Sequence, residues 1–68
     1  MFTLKEILGN MWYIQPVVVV VEDRRKNPLE IEPVFTGENW KCRDTALLNR
    51  YVRNYGAHEG KIYICLMA

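Results

Sequence analysis

Few side chains in this 68-residue chain could take part in catalysis. His58 is the only histidine, and Glu59 beside it would be its nearest acidic partner. A general base needs a nucleophile and an orienting group within reach, and a zinc site needs three or four ligands. The chain contains no serine, which excludes serine-based acyl transfer. We therefore expect His58 in a surface loop, with no catalytic residue and no metal site.

Cys42 is the second candidate, because it stands between Lys41 and Arg43. Neighbouring cations lower the pKa of a thiol and can make it a reactive thiolate. We favour a half-buried structural cysteine over that alternative. Cys42 and Cys65 have no metal-type spacing, so we expect two free thiols in a reducing cytoplasm.

Three other polar patterns have simpler explanations than chemistry. Glu30 and Glu32 alternate with apolar residues, as acidic residues do on the solvent-exposed face of an edge strand. The glycine-containing segment 56–60 lacks the Lys and Ser/Thr that follow a phosphate-binding turn. The basic residues 24–26 suit a solvated hairpin tip better than a phosphate clamp. We expect no enzymatic activity and no cofactor.

The main binding feature of the sequence is aromatic and basic. If two C-terminal segments pair as strands, the sheet face away from the helices would carry Tyr51, Arg53, Tyr55, Lys61 and Tyr63. Aromatic rings with interleaved cations stack single-stranded nucleic acid, but Tyr and Arg also anchor protein interfaces. The net charge of +1 favours a protein partner or self-association. Weak binding of single-stranded nucleic acid through the same face is the alternative.

The run of five valines from Val17 to Val21 is predicted to be the central strand, and the strands that carry these residues would be arranged around it. β-branched residues favour a pleated strand, and the run shows no alternation of apolar and polar residues. We expect a central strand covered on both of its faces, with helices on one side of the sheet. Pro16 opens the run, and Glu22-Asp23 closes it.

Two helices are predicted from their N-terminal signals. Thr3 and Glu6 have the spacing of a capping box, and the helix that follows should end near Met11. Asp44 can cap a second helix from Thr45. Between them, segment 29–32 alternates apolar and acidic residues, and Pro33 places that strand at an edge or at a bulge. We expect segment 23–28 to form a hairpin loop and segment 36–39 to turn the chain.

Segment 51–55 has two interpretations. Its apolar spacing allows a helix from Thr45 to Tyr55, but Tyr and Val favour a strand, joined to the last strand through a loop at residues 56–60. We favour the strand. In the last segment, Ile62, Ile64 and Leu66 should face one way, and Lys61, Tyr63 and Cys65 the other.

The chain is thus predicted to form a single α+β domain over residues 1–68. The element order is α-β-β-α-β-β, with a three- to four-stranded, mostly antiparallel sheet and two short helices on one face. The longest apolar run is far below the roughly 20 residues that span a bilayer. No secretory signal is recognisable at the N-terminus, so we expect a cytoplasmic protein without membrane insertion.

The order of these motifs resembles a group of short uncharacterised proteins from prophages and mobile elements of Gram-positive bacteria. The resemblance rests on Thr3-Leu4-Lys5-Glu6-Ile7-Leu8, the valine strand ending in an acid, Leu47-Leu48-Asn49-Arg50-Tyr51-Val52, and Gly60-Lys61-Ile62-Tyr63-Ile64. It implies the same fold, a strand at segment 51–55 and a mobile-element origin. It implies no site residue.

Overall fold

The structure of the chain is a computed structural model, and it describes residues 1–23, 25 and 30–68. It has two short helices and four strands in the predicted order, so the predicted α+β class is confirmed. The elements are α1 (Leu4–Gly9), β1 (Pro16–Asp23), β2 (Glu30–Glu38), α2 (Thr45–Leu48), β3 (Val52–His58) and β4 (Lys61–Met67), with a 3-10 turn at Asn39–Lys41.

The four strands form one sheet in the order β2-β1-β4-β3. β1 and β2 form one antiparallel pair, and β3 and β4 form the other. The two central strands, β1 and β4, run parallel and join the two pairs. The prediction of a mostly antiparallel sheet with the valines in its middle is confirmed.

The core lies on one face of this sheet. Alternate valines of β1 point into it, and α1 and α2 pack over them. Both helices therefore cover the same face, as predicted. The buried members of the core cluster are Leu4, Leu8, Val17, Val19, Cys42, Val52, Ile64 and Leu66.

The opposite face of β1 is not fully covered. Val18 and Val20 point to this side and are half-buried, whereas Val17 and Val19 are at most 1% exposed. The expectation of cover on both faces is wrong for this side. The valine run reflects the preference of β-branched side chains for a strand as much as it reflects burial. We call this side of the sheet the open face.

The N-terminal capping box is confirmed. The Glu6 carboxylate accepts a hydrogen bond from the Thr3 amide at 3.0 Å, and the Thr3 hydroxyl accepts one from the Glu6 amide at 3.3 Å. The helix ends at Gly9, slightly before the predicted Met11, and Asn10 is its C-cap. Leu4 and Leu8 are its buried residues, which lie one turn apart on the face that meets the sheet.

β2 lies at one edge of the sheet, as its proline predicted. A bulge interrupts its pairing with β1, because Val19 faces Phe35 and Val20 faces Pro33, so that Val34 is the extra residue. The predicted turn at residues 36–39 is wrong, since β2 continues to Glu38 and the chain turns at Asn39–Lys41. Gly37 extends the strand with a φ of 153°, a conformation open mainly to glycine. The predicted hairpin loop at 23–28 begins one residue too early, since β1 continues to Asp23, and the rest of it lies outside the described residues except for Arg25.

The C-terminal half follows the favoured interpretation. Asp44 caps α2 by accepting hydrogen bonds from the amides of Ala46 at 3.0 Å and Leu47 at 3.3 Å. Segment 51–55 lies largely in β3, and β3 continues to His58. The predicted loop at 56–60 is therefore too long. The turn consists of Glu59 and Gly60, whose φ angles of 51° and 79° match a two-residue type I′ turn.

Candidate interaction site

The five predicted interface residues do not lie on one face of the sheet. In β4, Lys61 and Tyr63 alternate with core residues and so point to the open face, as predicted. Tyr55, however, pairs with Ile64, a fully buried core residue. Directly paired residues of antiparallel strands share a face, so Tyr55 lies on the helix side.

A bulge in β3 causes this difference. Val52 pairs with Leu66 and Asn54 pairs with Cys65, so Arg53 is an extra residue without an opposite partner on β4. An extra residue reverses the alternation of side chains beyond it. Tyr51 precedes the bulge and lies on the open face, because its side chain alternates with that of buried Val52. Tyr55 follows the bulge and lies on the opposite face, the helix side. The prediction of one shared face is wrong, and a binding role for these residues stays a prediction.

On the open face, the exposed ring of Tyr63 lies beside His58. The two rings meet edge to face, with centroids 6.1 Å apart. Nε2 of His58 also lies 3.7 Å from a carboxylate oxygen of Glu59. Lys61 pairs with His58 across the hairpin. One tyrosine, one imidazole and one amine therefore form a small polar and aromatic cluster at the turn end of this face.

On the helix side, an apolar groove lies between α1 and β3. Phe2, Ile7 and Tyr55 line it throughout its length, and Met11 closes one end. Its part next to Arg53 has a volume of about 540 Å³. Phe2 is 62% exposed and Tyr55 is 60% exposed, so two large rings stand open to solvent beside the groove. We call this feature the α1–β3 groove.

The outer edge of β3 borders the groove. Its first part is occupied, because the Val52 amide donates to the oxygen of Phe2 and the Leu4 amide donates to the oxygen of Arg50, both at 2.8 Å. Thr3 and Tyr51 form the bridge between these two bonds. Among the described residues, none pairs with the outer edge at residues 54–58. A strand edge with unpaired main-chain groups therefore continues from the point where the N-terminal segment stops.

The cysteines have structural positions. Neither forms a disulfide, and both are buried. Burial raises the pKa of the Cys42 thiol, and the nearby Asp44 carboxylate raises it further. This is the opposite of an activated thiolate, so the favoured structural interpretation of Cys42 is supported. The Cys65 thiol lies on the open side, with its sulfur 3.2 Å from a carboxylate oxygen of Glu22.

The remaining polar candidates that the structure describes are exposed side chains. In the part of the chain that the structure describes, no three His, Cys, Asp or Glu side chains lie close enough together to hold a metal ion. Glu30 and Glu32 are exposed residues of the edge strand β2. Arg25 is the described member of the predicted basic loop tip, and its Nε lies 3.2 Å from Asp23.

Three positions that matter were not recognised in the sequence. Phe2 and Met11 line the groove, but Met11 was identified only as the expected end of the first helix, and Phe2 was assigned no binding role. Asn39 is buried, although it falls in a segment predicted as a turn. Its amide donates to the main-chain oxygens of Leu8 at 2.8 Å and Trp12 at 3.2 Å. An asparagine before an aromatic residue gives no sequence signal for such a role.

No protein-family model, no curated protein and no solved structure matches the chain significantly. None of the helices in the described residues is long and apolar enough to cross a membrane.

Proposed function

We propose that this chain is a non-enzymatic interaction domain that binds another polypeptide through the outer edge of β3 and the α1–β3 groove. The observation that carries the proposal is the exposed pair of rings, Phe2 and Tyr55, beside a strand edge with which no described residue pairs beyond Arg53. Aromatic side chains are frequent anchors of protein interfaces, and an open edge can accept a further strand.

The two features complement each other chemically. Main-chain groups at the edge supply hydrogen bonds that any extended peptide can satisfy. The groove supplies selectivity, because alternate side chains of an added strand would point toward Ile7 and Tyr55. The N-terminal segment already uses this mode of binding at Val52, where it pairs antiparallel with the same edge.

A non-enzymatic role is supported by the positions of the two reactive candidates. Cys42 is 7% exposed and its thiol pKa is raised by burial. The His58 side chain is 70% exposed beside the turn. Neither position provides the desolvated, oriented pair of groups that general acid–base or nucleophilic catalysis uses.

Site-specific photo-cross-linking tests the proposal. A photoreactive phenylalanine analogue replaces Tyr55 in one variant and Tyr13 in a control variant. Each variant is expressed in the organism that naturally contains the protein, and the living cells are irradiated. Tyr13 is 63% exposed, like Tyr55, but does not line the groove. We expect cross-links to a polypeptide from position 55 in clear excess over position 13. Equal yields at the two positions would contradict the proposal.

The second candidate function is weak binding of single-stranded nucleic acid on the open face. It is supported by the cluster of Tyr63, His58 and Lys61, which combines one stacking ring with a cation. An anisotropy titration with a labelled oligonucleotide at low salt would test it. Binding that is lost in Tyr63→Ala but kept in Tyr55→Ala would favour this function, because the two tyrosines lie on opposite faces.

We also propose a cytoplasmic location and a phage or mobile-element origin. The location is supported by two buried cysteines that form no disulfide, and the origin by the resemblance of the helix, strand and turn motifs described above. Genes for integration or phage assembly beside this one would support the origin, and housekeeping neighbours in several genomes would contradict it.

A further inference from the structure

The geometry points to a second copy of this chain as the occupant of the β3 edge. We infer that two β3 strands pair antiparallel about a twofold axis at Gly56, joining two four-stranded sheets into one of eight strands. This inference rests on the proposed function and names its partner. It follows from a contrast between the two sheet edges, from the main-chain groups at the β3 edge, and from charge complementarity.

The two edges of the sheet differ in their protection against strand addition. β2 carries Pro33, which has no amide hydrogen, a bulge at Val34, and acidic residues along the strand. Proline, bulges and charges are the usual devices that keep an edge from pairing. Beyond its bulge, β3 has none of them between Asn54 and Ala57. The sequence thus protects one edge and leaves the other open.

The two-residue turn identifies the outward-pointing groups of β3. Such a turn makes His58 and Lys61 a hydrogen-bonded pair, so alternate residues of β3, beginning at His58, bond to β4. The hydrogen bond from the Met67 amide to the oxygen of Tyr51 agrees with this pattern, since it also uses an odd-numbered residue of β4. Tyr55 and Ala57 therefore direct their N–H and C=O groups outward.

An axis at Gly56 satisfies these groups in pairs. It sets Tyr55 opposite Ala57 of the second copy, so each outward amide meets an outward carbonyl. Gly56 of one copy lies opposite Gly56 of the other copy in a non-hydrogen-bonded pair, where the two strands come closest. Because glycine has no side chain, this close approach causes no steric conflict. A large ring then lies opposite a small side chain. An axis at Tyr55 would instead oppose two tyrosines directly.

The same register brings opposite charges together. It places Arg53 next to Glu59 of the second copy, and twofold symmetry repeats this contact at the other end of the paired strands. The Glu59 side chain is 83% exposed, and its present contact is His58. Opposite charges on facing strands stabilise a pairing, and like charges destabilise it. The helices of both copies lie on the same side, where the two Tyr55 rings are diagonal neighbours.

Charge exchange at these two positions tests the inference by sedimentation equilibrium. We expect a concentration-dependent dimer for the wild type. Arg53→Glu and Glu59→Arg should each weaken it about tenfold or more, because each change creates two like-charge contacts. The double variant and an equimolar mixture of the two single variants should both recover the dimer, since each restores opposite charges. Lys5→Glu, an equal change of charge on α1, is the control.

Several results would overturn the inference. A wild type that stays monomeric up to about 1 mM would do so. A dimer that is insensitive to both single variants, or single variants that do not recover on mixing, would also do so. Circular dichroism confirms that each variant folds. If position 55 cross-links to a different protein while the wild type is monomeric, the second copy is excluded and the proposed function stands; no cross-link would overturn both.

Discussion

The side-chain amide of Asn39 donates a hydrogen bond to the main-chain oxygen of Leu8 over 2.8 Å in buried surroundings. The same amide also reaches the oxygen of Trp12 at 3.2 Å. The two oxygens also accept from main-chain amides, Leu8 from Met11 at 3.1 Å and Trp12 from Gln15 at 3.0 Å, so Asn39 adds a second donor to each. Asn39 does this from the segment after β2 and thereby fixes the end of α1 against the sheet.

Removing this amide is expected to be costly. Asn39→Ala removes these hydrogen bonds, although the oxygens of Leu8 and Trp12 keep main-chain donors. The change should lower the free energy of unfolding by about 0.5–1.5 kcal/mol, as measured by urea denaturation. Asn10→Ala is the matched control, because the Asn10 amide donates to the oxygen of Glu6 at 2.8 Å in an exposed position. We expect a smaller loss there. Equal losses would mean that burial adds nothing at Asn39.

Two neighbouring valines should respond differently to truncation. Val19 is fully buried, and Val19→Ala should cost about 2–3 kcal/mol through lost burial and the cavity that remains. Val18 is half-buried on the open face, and Val18→Ala should cost clearly less. Thermal or urea unfolding of both variants measures the difference. Equal costs would indicate that the open face is covered in solution.

The capping box should make α1 sensitive to acid. The hydrogen bond from the Thr3 amide, followed by that from its hydroxyl, lowers the pKa of Glu6. A lowered pKa means that the ionised carboxylate stabilises the fold at neutral pH, and that this contribution is lost as the pH falls through the lowered value. The stability difference between the wild type and Glu6→Gln should therefore shrink as the pH falls from about 4.5, the ordinary value for Glu, through the lowered pKa. A difference that is constant down to pH 2 would contradict this account.

Cys42 should be a slow thiol. Its raised pKa, due first to burial and then to Asp44, reduces the thiolate fraction at neutral pH. We expect alkylation by iodoacetamide at pH 8 to be at least about tenfold slower in the native protein than in urea. Peptide mapping by mass spectrometry separates Cys42 from Cys65. Native alkylation faster than that of the unfolded chain would revive the enzymatic alternative.

The same pKa has a consequence for stability at alkaline pH. Since the folded pKa lies above the unfolded one, the thiol contributes stability that is complete below the ordinary thiol pKa and is lost as the pH rises through the raised value. The free energy of unfolding should decline in this range for the wild type and decline less for Cys42→Ala.

The elements that were predicted correctly have local causes. Thr3 and Glu6 are three residues apart, and Ile62, Ile64 and Leu66 alternate within one strand, so each signal lies within a few positions of the chain. The order of elements and the one-sided helix layer follow from such signals. The parallel pairing of β1 with β4 joins residues about 45 positions apart, as Val19 and Ile64 are, and no local pattern encodes it.

The binding surface was predicted less well because it depends on single residues. Strict alternation from Tyr51 puts Tyr55 on the same face, and one extra residue, Arg53, reverses that result. The sequence around Arg53 contains no glycine or proline that would mark a bulge. The two-residue turn at Glu59 and Gly60 could not be recognised from the sequence either, because Glu59 takes a positive φ that Asn or Asp adopts more readily.

The parallel pairing of β1 with β4 joins the two antiparallel strand pairs into one sheet. Each hairpin can close through short-range contacts, but a lone two-stranded ribbon is marginal in water. Each hairpin by itself is therefore expected to be weak, and the sheet is complete only when β4 pairs with Val17–Val21, residues about 45 positions earlier in the chain. The full core can thus form only after residues 62–66 have been synthesised.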